Sequence, residues 1–180
     1  MPLRLLAPVS RRSLTRAAAW DAYAGGMRLS ESHSLPVPLA DAWAALNDLD
    51  VLRQALPGCE SLLEIADDEF VGEMAVPLGP ATSRFTIYIH RRDVEAPRRC
   101  TLRFETRTAG GGGTGSAAFA LSPEGDWAST LQVDADVAID GLMAVIGASL
   151  IDVAARQMAA LFFERLGAGA LARRAAAPMP

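Results

Sequence analysis

From Ser61 to Val137 the chain repeats one pattern, apolar residues at every second position interrupted by short turn-forming stretches, with no helical period between them. Phe70, Gly72, Met74 and Val76 share one face before Pro77, Gly79 and Pro80 break the strand. Phe85, Ile87 and Ile89 then oppose Arg84, Thr86, Tyr88 and His90, while Cys100, Leu102 and Phe104 oppose Thr101, Arg103 and Glu105. Ala117, Phe119 and Leu121 mark the next strand, and Leu131, Val133, Ala135 and Val137 the last. Strands joined by short turns pair antiparallel and leave one apolar face to be covered.

The flanking segments supply the cover. Arg28 to Leu35 reads as an opening strand that stops at Pro36 and Pro38. Leu39, Ala42, Trp43 and Leu46 recur at helical spacing. Asp48 or Asp50 then caps a second short helix that ends before Pro57 and Gly58. Leu142 to Leu166 is long enough for a helix of about 37 Å at 1.5 Å per residue, with Gly167 and Gly169 as its expected stop. One strand, two short helices, six further antiparallel strands and a long C-terminal helix give an α+β helix-grip architecture, a curved sheet of seven strands wrapped around that helix.

At 180 residues, 51% of them hydrophobic, the chain fits one domain with a substantial core, and no apolar run reaches the roughly 18 residues that span a bilayer. Residues 1–26 are expected to form an extension outside the fold, a reading that makes Met27 the natural start; 27–168 form the domain and 169–180 a short tail. Residues 27–168 hold eleven Arg against twenty acids, net −9, a balance that repels phosphate backbones and argues against nucleic-acid binding. Cys59 and Cys100 lie far apart with no CxxC spacing, which fits a reducing, cytoplasmic setting and supplies no metal site.

Several residues together resemble the carbon monoxide dehydrogenase G-subunit family of the START-like SRPBCC superfamily: Val37, Trp43 and Leu46; Leu56 with Pro57, Gly58, Cys59 and Glu60; and Val76, Leu78, Gly79 and Pro80. The likeness continues through Gly110 to Gly113 with Gly115, the segment Val137 to Gly141, and Leu142, Gly147, Leu150, Ile151 and Phe162. Its most specific part is the triplet Pro57, Gly58, Cys59. The resemblance implies a START-like fold and a role beside a molybdenum hydroxylase of the carbon monoxide dehydrogenase type, in handling a quinone, in assembly, or in recruitment to the membrane. It brings no catalytic motif.

The residues themselves point the same way. His33 and His90 lie near no nucleophile elbow, HExxH spacing or paired carboxylate, so both read as structural. Cys59 reads as a small buried hydrophobe after a helix stop. The Gly110 to Gly113 run lacks the Lys and the strand-to-helix setting of a phosphate loop, and reads as a flexible hairpin turn. Arg91, Arg92, Arg98 and Arg99 flank a turn and form a candidate docking patch.

The apolar phase of each element assigns an interior ligand site to Phe85, Ile87, Leu102, Phe104, Phe119, Leu131 and Val133 of the sheet and to Ile146, Leu150 and Val153 of the helix. The many Ala and Gly residues among them leave space for a lipophilic molecule, quinone-like or otherwise, with no covalent cofactor. The expected function is thus non-enzymatic binding of an apolar ligand, with membrane contact at most peripheral at the inner face. The alternatives are an assembly or recruitment factor acting through its surface, or a START-like cyclase or hydrolase, which needs inward acid or base groups where the pattern offers mostly Tyr88, Arg84 and His90 on outward faces.

Overall fold

The computed structural model describes residues 26–141, 145 and 148–177. Strand β1 (Gly26–Leu35) leads into α1 (Leu39–Leu46) and α2 (Leu49–Ala55). Six strands follow: β2 (Cys59–Ala66), β3 (Glu69–Leu78), β4 (Ala81–Glu95), β5 (Arg99–Thr108), β6 (Gly111–Glu124) and β7 (Ala128–Ile139). The helix α3 (Ala148–Ala176) comes last. The strands form a single curved sheet in the order β1-β7-β6-β5-β4-β3-β2, with every pairing antiparallel, so the helix-grip expectation holds.

The period-two pattern dictates which side of this sheet is inward. Register rows run Gly72, Ile87, Thr106, Gly113 and Ile139, and Phe70, Ile89, Phe104, Gly115, Val137 and Met27. The alternate rows carry Arg103, Glu105, Arg107, Asp134 and Asp136 to the outside, where pairs such as Arg28 with Asp136 (2.7 Å) and Arg107 with Glu105 (2.8 Å) lie in solvent. Exposed pairs of this kind contribute little to stability. Between the short helices Asp48 caps α2, its carboxylate accepting from the backbone N–H groups of Asp50 and Val51. The Val51 bond first, then one that the Arg173 side chain donates, hold its carboxyl below the usual carboxylate range.

The helix differs from its expected outline. It does not stop at Gly167 but runs to Ala176, eight residues into the stretch read as a tail. Both glycines sit where a neighbour presses close: a Cβ at Gly167 would stand 3.4 Å from Pro36 Cδ, and one at Gly169 3.0 Å from Val51 Cγ1. Gly169 clears room for α2, Gly167 lies against the connection between β1 and α1, and neither is a cap. Beyond them Ala170 is buried in the core, and Arg173 bonds Asp48 at 3.0 Å. Leu142, the expected helix start, and residues 1–25 of the expected extension lie outside the described residues.

The glycine run is also unlike a loose turn. Only Ala109 and Gly110 turn; Gly111 to Gly113 belong to β6, pinned by Gly112 N–H donating to Asp140 Oδ1 at 2.7 Å and Asp140 N–H to the Gly112 carbonyl at 3.0 Å. Gly115 lies directly beneath the Phe104 ring, which a Cβ would meet at 2.3 Å.

Candidate functional site

The inner face of the sheet is closed unevenly. At one end the C-terminal half of α3 packs Phe163, Leu166 and Ala170 against Leu35, Leu121 and Leu131, with α1 and α2 completing the seal. Leu131 and Leu35 are 0% and 1% exposed there. A second, smaller cluster joins Met74, Val76 and Leu78 of β3 to Ala154 and Met158 of α3. The helix thus approaches the sheet chiefly at β1 and β3, bridging its two flanks. Between them the inward side chains of β4, β5 and β6, namely Phe85, Ile87, Leu102, Phe104 and Phe119, are only half-buried. Phe104 and Phe119 pack against the first cluster and Phe85 and Ile87 against the second, so the surface these side chains keep accessible marks where α3 covers the inner face least, the hollow of the inner face.

The expected site residues divide accordingly. Phe85, Ile87, Leu102, Phe104 and Phe119 share the lining, whereas Leu131 and Val133 are fully buried where the lining meets the sealed end. Leu150 and Val153 are exposed, 38% and 52%, because the row of α3 that faces the sheet is Ile151, Ala154, Ala155, Met158 and Phe162. Leu150 still borders the hollow's edge, since a Cβ at Gly79 would stand 3.6 Å from its Cδ2. Ile146 lies outside the described residues.

The family triplet has a local explanation. Gly58 adopts φ +75°, and a Cβ there would fall 2.1 Å from the Ala75 carbonyl oxygen, so the chain leaves α2 in contact with β3 only because no side chain intervenes. Its own carbonyl accepts the Ala75 N–H at 2.8 Å. Cys59 follows on the inner face, partly buried beside the Met74 cluster. Burial pushes its thiol above the ordinary value, and that of Cys100 likewise, the reverse of what a reactive thiolate needs. Gly79, with φ +61°, makes the turn from β3 to β4.

Two of the four arginines in the candidate patch are engaged within the chain. Arg91 donates to Asp68 at 2.7 Å and to Asn47, and Arg99 pairs with Glu95. Tyr88, Arg84 and His90 take the outer register, Arg84 bonding Glu60 and Tyr88 lying under the Arg107 guanidinium. None of the three reaches the hollow.

Beside Thr106 and Arg91, which also take the inner register, polar groups stand on this face at a place that the loose alternation of β1 obscures. Glu31 and His33 share the parity of Met27, Leu29 and Leu35, and they pair across to Val133 and Leu131 on the inner face. The His33 ring stacks on Phe163 with centroids 3.8 Å apart, and its Nε2 lies 3.6 Å from Glu31 Oε2. Arg156 of α3 stands 3.6 Å from the other Glu31 oxygen while bonding Asp152 at 3.0 Å. Among the described residues no group of three His, Cys, Asp or Glu could hold a metal ion, and no helix is long and apolar enough to cross a membrane.

Known proteins agree with this architecture. A conserved protein from Geobacillus kaustophilus superposes with a TM-score of 0.76 at 19% identity, covering 81% of this chain and 95% of that one. The aromatase/cyclase ZhuI from Streptomyces sp. R1128 gives 0.62 at 12% identity over 82% and 95%. A START superfamily protein from Mycobacterium smegmatis gives 0.58 at 12% over 78% and 94%. At these identities the likeness concerns the fold alone. Comparison with curated proteins gives no match. The model of the carbon monoxide dehydrogenase G-subunit (CoxG) family matches residues 32–170, from within β1 to the last buried residue of α3, and the chain belongs to that family.

Proposed function

We propose that this chain is a non-enzymatic carrier of an apolar, quinone-like molecule, held in the hollow between β4–β6 and α3, in the service of a molybdenum hydroxylase of the carbon monoxide dehydrogenase type. One observation carries the reading: the inward apolar side chains of the central strands remain half-buried while both flanks of the sheet are closed by α3. A ring buried there gains its affinity from desolvation, at about 25 cal/mol per Å² of apolar surface, and needs no covalent chemistry. Membership of the CoxG family supplies the partner in this proposal, and a cytoplasmic site of action with peripheral contact at the membrane belongs to it as well.

The enzymatic alternative draws on the fold shared with an aromatase/cyclase, and it requires an acid or base on the inner face. Tyr88, Arg84 and His90 lie outside, whereas Glu31 and His33 stand on the inner face and are its candidates. Native mass spectrometry of protein purified from its own host tests the carrier reading. A co-purifying lipophilic mass, displaced by 2-methyl-3-prenyl-1,4-naphthoquinone, is expected. A ligand-free spectrum together with no calorimetric binding of that quinone overturns it.

A further inference from the structure

We propose that Glu31 and His33, with Arg156 behind them, form the polar handle of the hollow, recognising an oxygen on the edge of an otherwise apolar ring. The inference rests on the reading of the hollow as a ligand site and adds to it the residues that select the ligand's chemistry. Its basis is hydrogen-bonding capacity left unspent. Nε2 of His33 is buried and has no hydrogen-bond partner among the described residues, since its distance to Glu31, 3.6 Å, exceeds a hydrogen bond. The Arg156 contact to Glu31 is equally long. A histidine nitrogen and a carboxylate acceptor therefore stand side by side on the inner face, at the boundary where the Glu31 row continues through Val133 and Phe119 toward the hollow and the His33 row through Leu131 and Leu121 into the sealed end.

The ring of His33 cannot swing away freely, because it is stacked on Phe163 at an interplanar angle of 18°. Phe163 is itself 5% exposed and anchored in the sealed core. A structural histidine in a strand normally finds a partner, since a buried polar atom left unpaired is costly. Among the described residues two histidine nitrogens are left so, Nδ1 of His90 in the outer register and Nε2 of His33 on the inner face, and only the second stands at the margin of an apolar hollow. Nε2 has no accessible surface while Glu31 stands beside it, so a ring carbonyl takes the Nε2–H bond as it displaces the Glu31 contact, and a ring hydroxyl donates to the Glu31 carboxylate; the pair can thus hold either form of a quinone-like ring. Arg156, half-exposed and tied to Asp152, sets a positive charge behind Glu31 at the seam between β1 and α3.

The test compares three probes of one shape by calorimetry: 2-methyl-3-prenyl-1,4-naphthoquinone, the corresponding 1-naphthol, and 2-methyl-3-prenylnaphthalene, which has no oxygen. His33→Phe keeps the stack on Phe163 and removes the donor. It is expected to weaken the quinone about tenfold, the scale of one lost hydrogen bond, and to leave the hydrocarbon within twofold. Glu31→Leu is expected to do the same to the naphthol and spare the hydrocarbon, and it carries the test should His33→Phe not fold. Equal losses for all three probes would assign both residues to packing and overturn the handle, as would unchanged affinities throughout. Failure of the unaltered protein to bind even the hydrocarbon would overturn the hollow, and the handle with it; failure of selectivity alone would sink only the handle.

Discussion

Ile87 is the position at which a hollow and a filled interior predict opposite results. It faces inward from the middle of β4, between Gly72 on β3 and Thr106 on β5, and is only half-buried. Its Cγ2 would stand 3.2 Å from a Cβ at Gly72, so bulk added at residue 87 has to extend away from the sheet. If that direction is already packed, Ile87→Trp costs about 1 to 3 kcal/mol. At roughly 2 to 4 °C per kcal/mol for a domain of this size, the melting temperature then falls by about 2 to 12 °C. If the direction is open, the indole occupies the hollow, the melting temperature moves by less than about 2 °C, and the prenylated quinone loses at least about tenfold in affinity. Ile87→Ala gives the converse: about 2 to 5 kcal/mol in a filled core, and less than about 2 kcal/mol where part of the side chain's surface is accessible. Leu131→Ala, at a fully buried site, is the internal control and is expected to cost the full 2 to 5 kcal/mol. Thermal melts by circular dichroism and calorimetric titration on the same preparations decide the matter. A destabilised Ile87→Trp together with an Ile87→Ala as costly as Leu131→Ala would refute the hollow.

Gly58→Ala should destabilise by more than about 2 kcal/mol in urea titration, because it adds left-handed strain to a 2.1 Å encounter with the Ala75 carbonyl; a loss below about 0.5 kcal/mol would mean that β3 moves aside freely. Asp48→Ala should cost about 1 kcal/mol at pH 7 through the lost cap. Because the Asp48 carboxyl is held low, its contribution is present above the usual carboxylate range and fades as pH falls through the lowered value, so the two melting temperatures should converge in acid and nowhere else. Cys59 and Cys100, with thiols raised by burial, should react with iodoacetamide at pH 7.5 at least about tenfold more slowly than glutathione, and comparable rates would contradict their burial. Ending the chain after Ala168 removes Ala170 from the core and Arg173 from Asp48, and should lower the melting temperature by several degrees; an unchanged value would restore the reading of those residues as a tail.

What can be read from residues alone follows the strength of the local physics. Strands β3 to β7 are legible because alternation leaves a period-two trace wherever one face is buried and the other wet. The two short helices are legible because proline and a capping aspartate bracket them. Gly167 and Gly169 mislead because a glycine after an apolar helical run looks the same whether it ends the helix or admits a neighbouring chain; only the approach of Pro36 and Val51 distinguishes the two. Leu150 and Val153 fall on the other side of the helix from their expected place for a related reason. Apolar residues surround the first turns of α3, so the phase that faces the sheet is set by Ile151, Met158 and Phe162, which the pattern alone does not single out. Glu31 and His33 escape a search for apolar faces because they are polar, although their parity with Leu29 and Leu35 stands in the sequence.

Two polar residues on an apolar inner face bear on how such a hollow could choose its ligand. A two-ring system buries on the order of 200 Å², worth about 5 kcal/mol, which barely exceeds the lower estimates of about 4 kcal/mol for the freedom lost on association. A prenyl chain adds about 0.8 kcal/mol per buried methylene, so affinity has to rise with tail length until the hollow is full. Desolvation of a tail is non-directional and does not distinguish a quinone from any other prenylated ring or a fatty acid. Discrimination must therefore come from the few polar groups on the inner face, and a correctly met oxygen changes affinity by about tenfold or more chiefly because its absence leaves a buried donor unpaired. In the proposed carrier, Phe85, Ile87, Leu102, Phe104 and Phe119 would provide the first kind of energy, and His33 beside the Glu31 carboxylate the second. A carrier needs both in that proportion: enough apolar surface to extract a ring from a lipid phase, and one short polar edge whose bonds can be exchanged for those of a partner when the ligand is handed on.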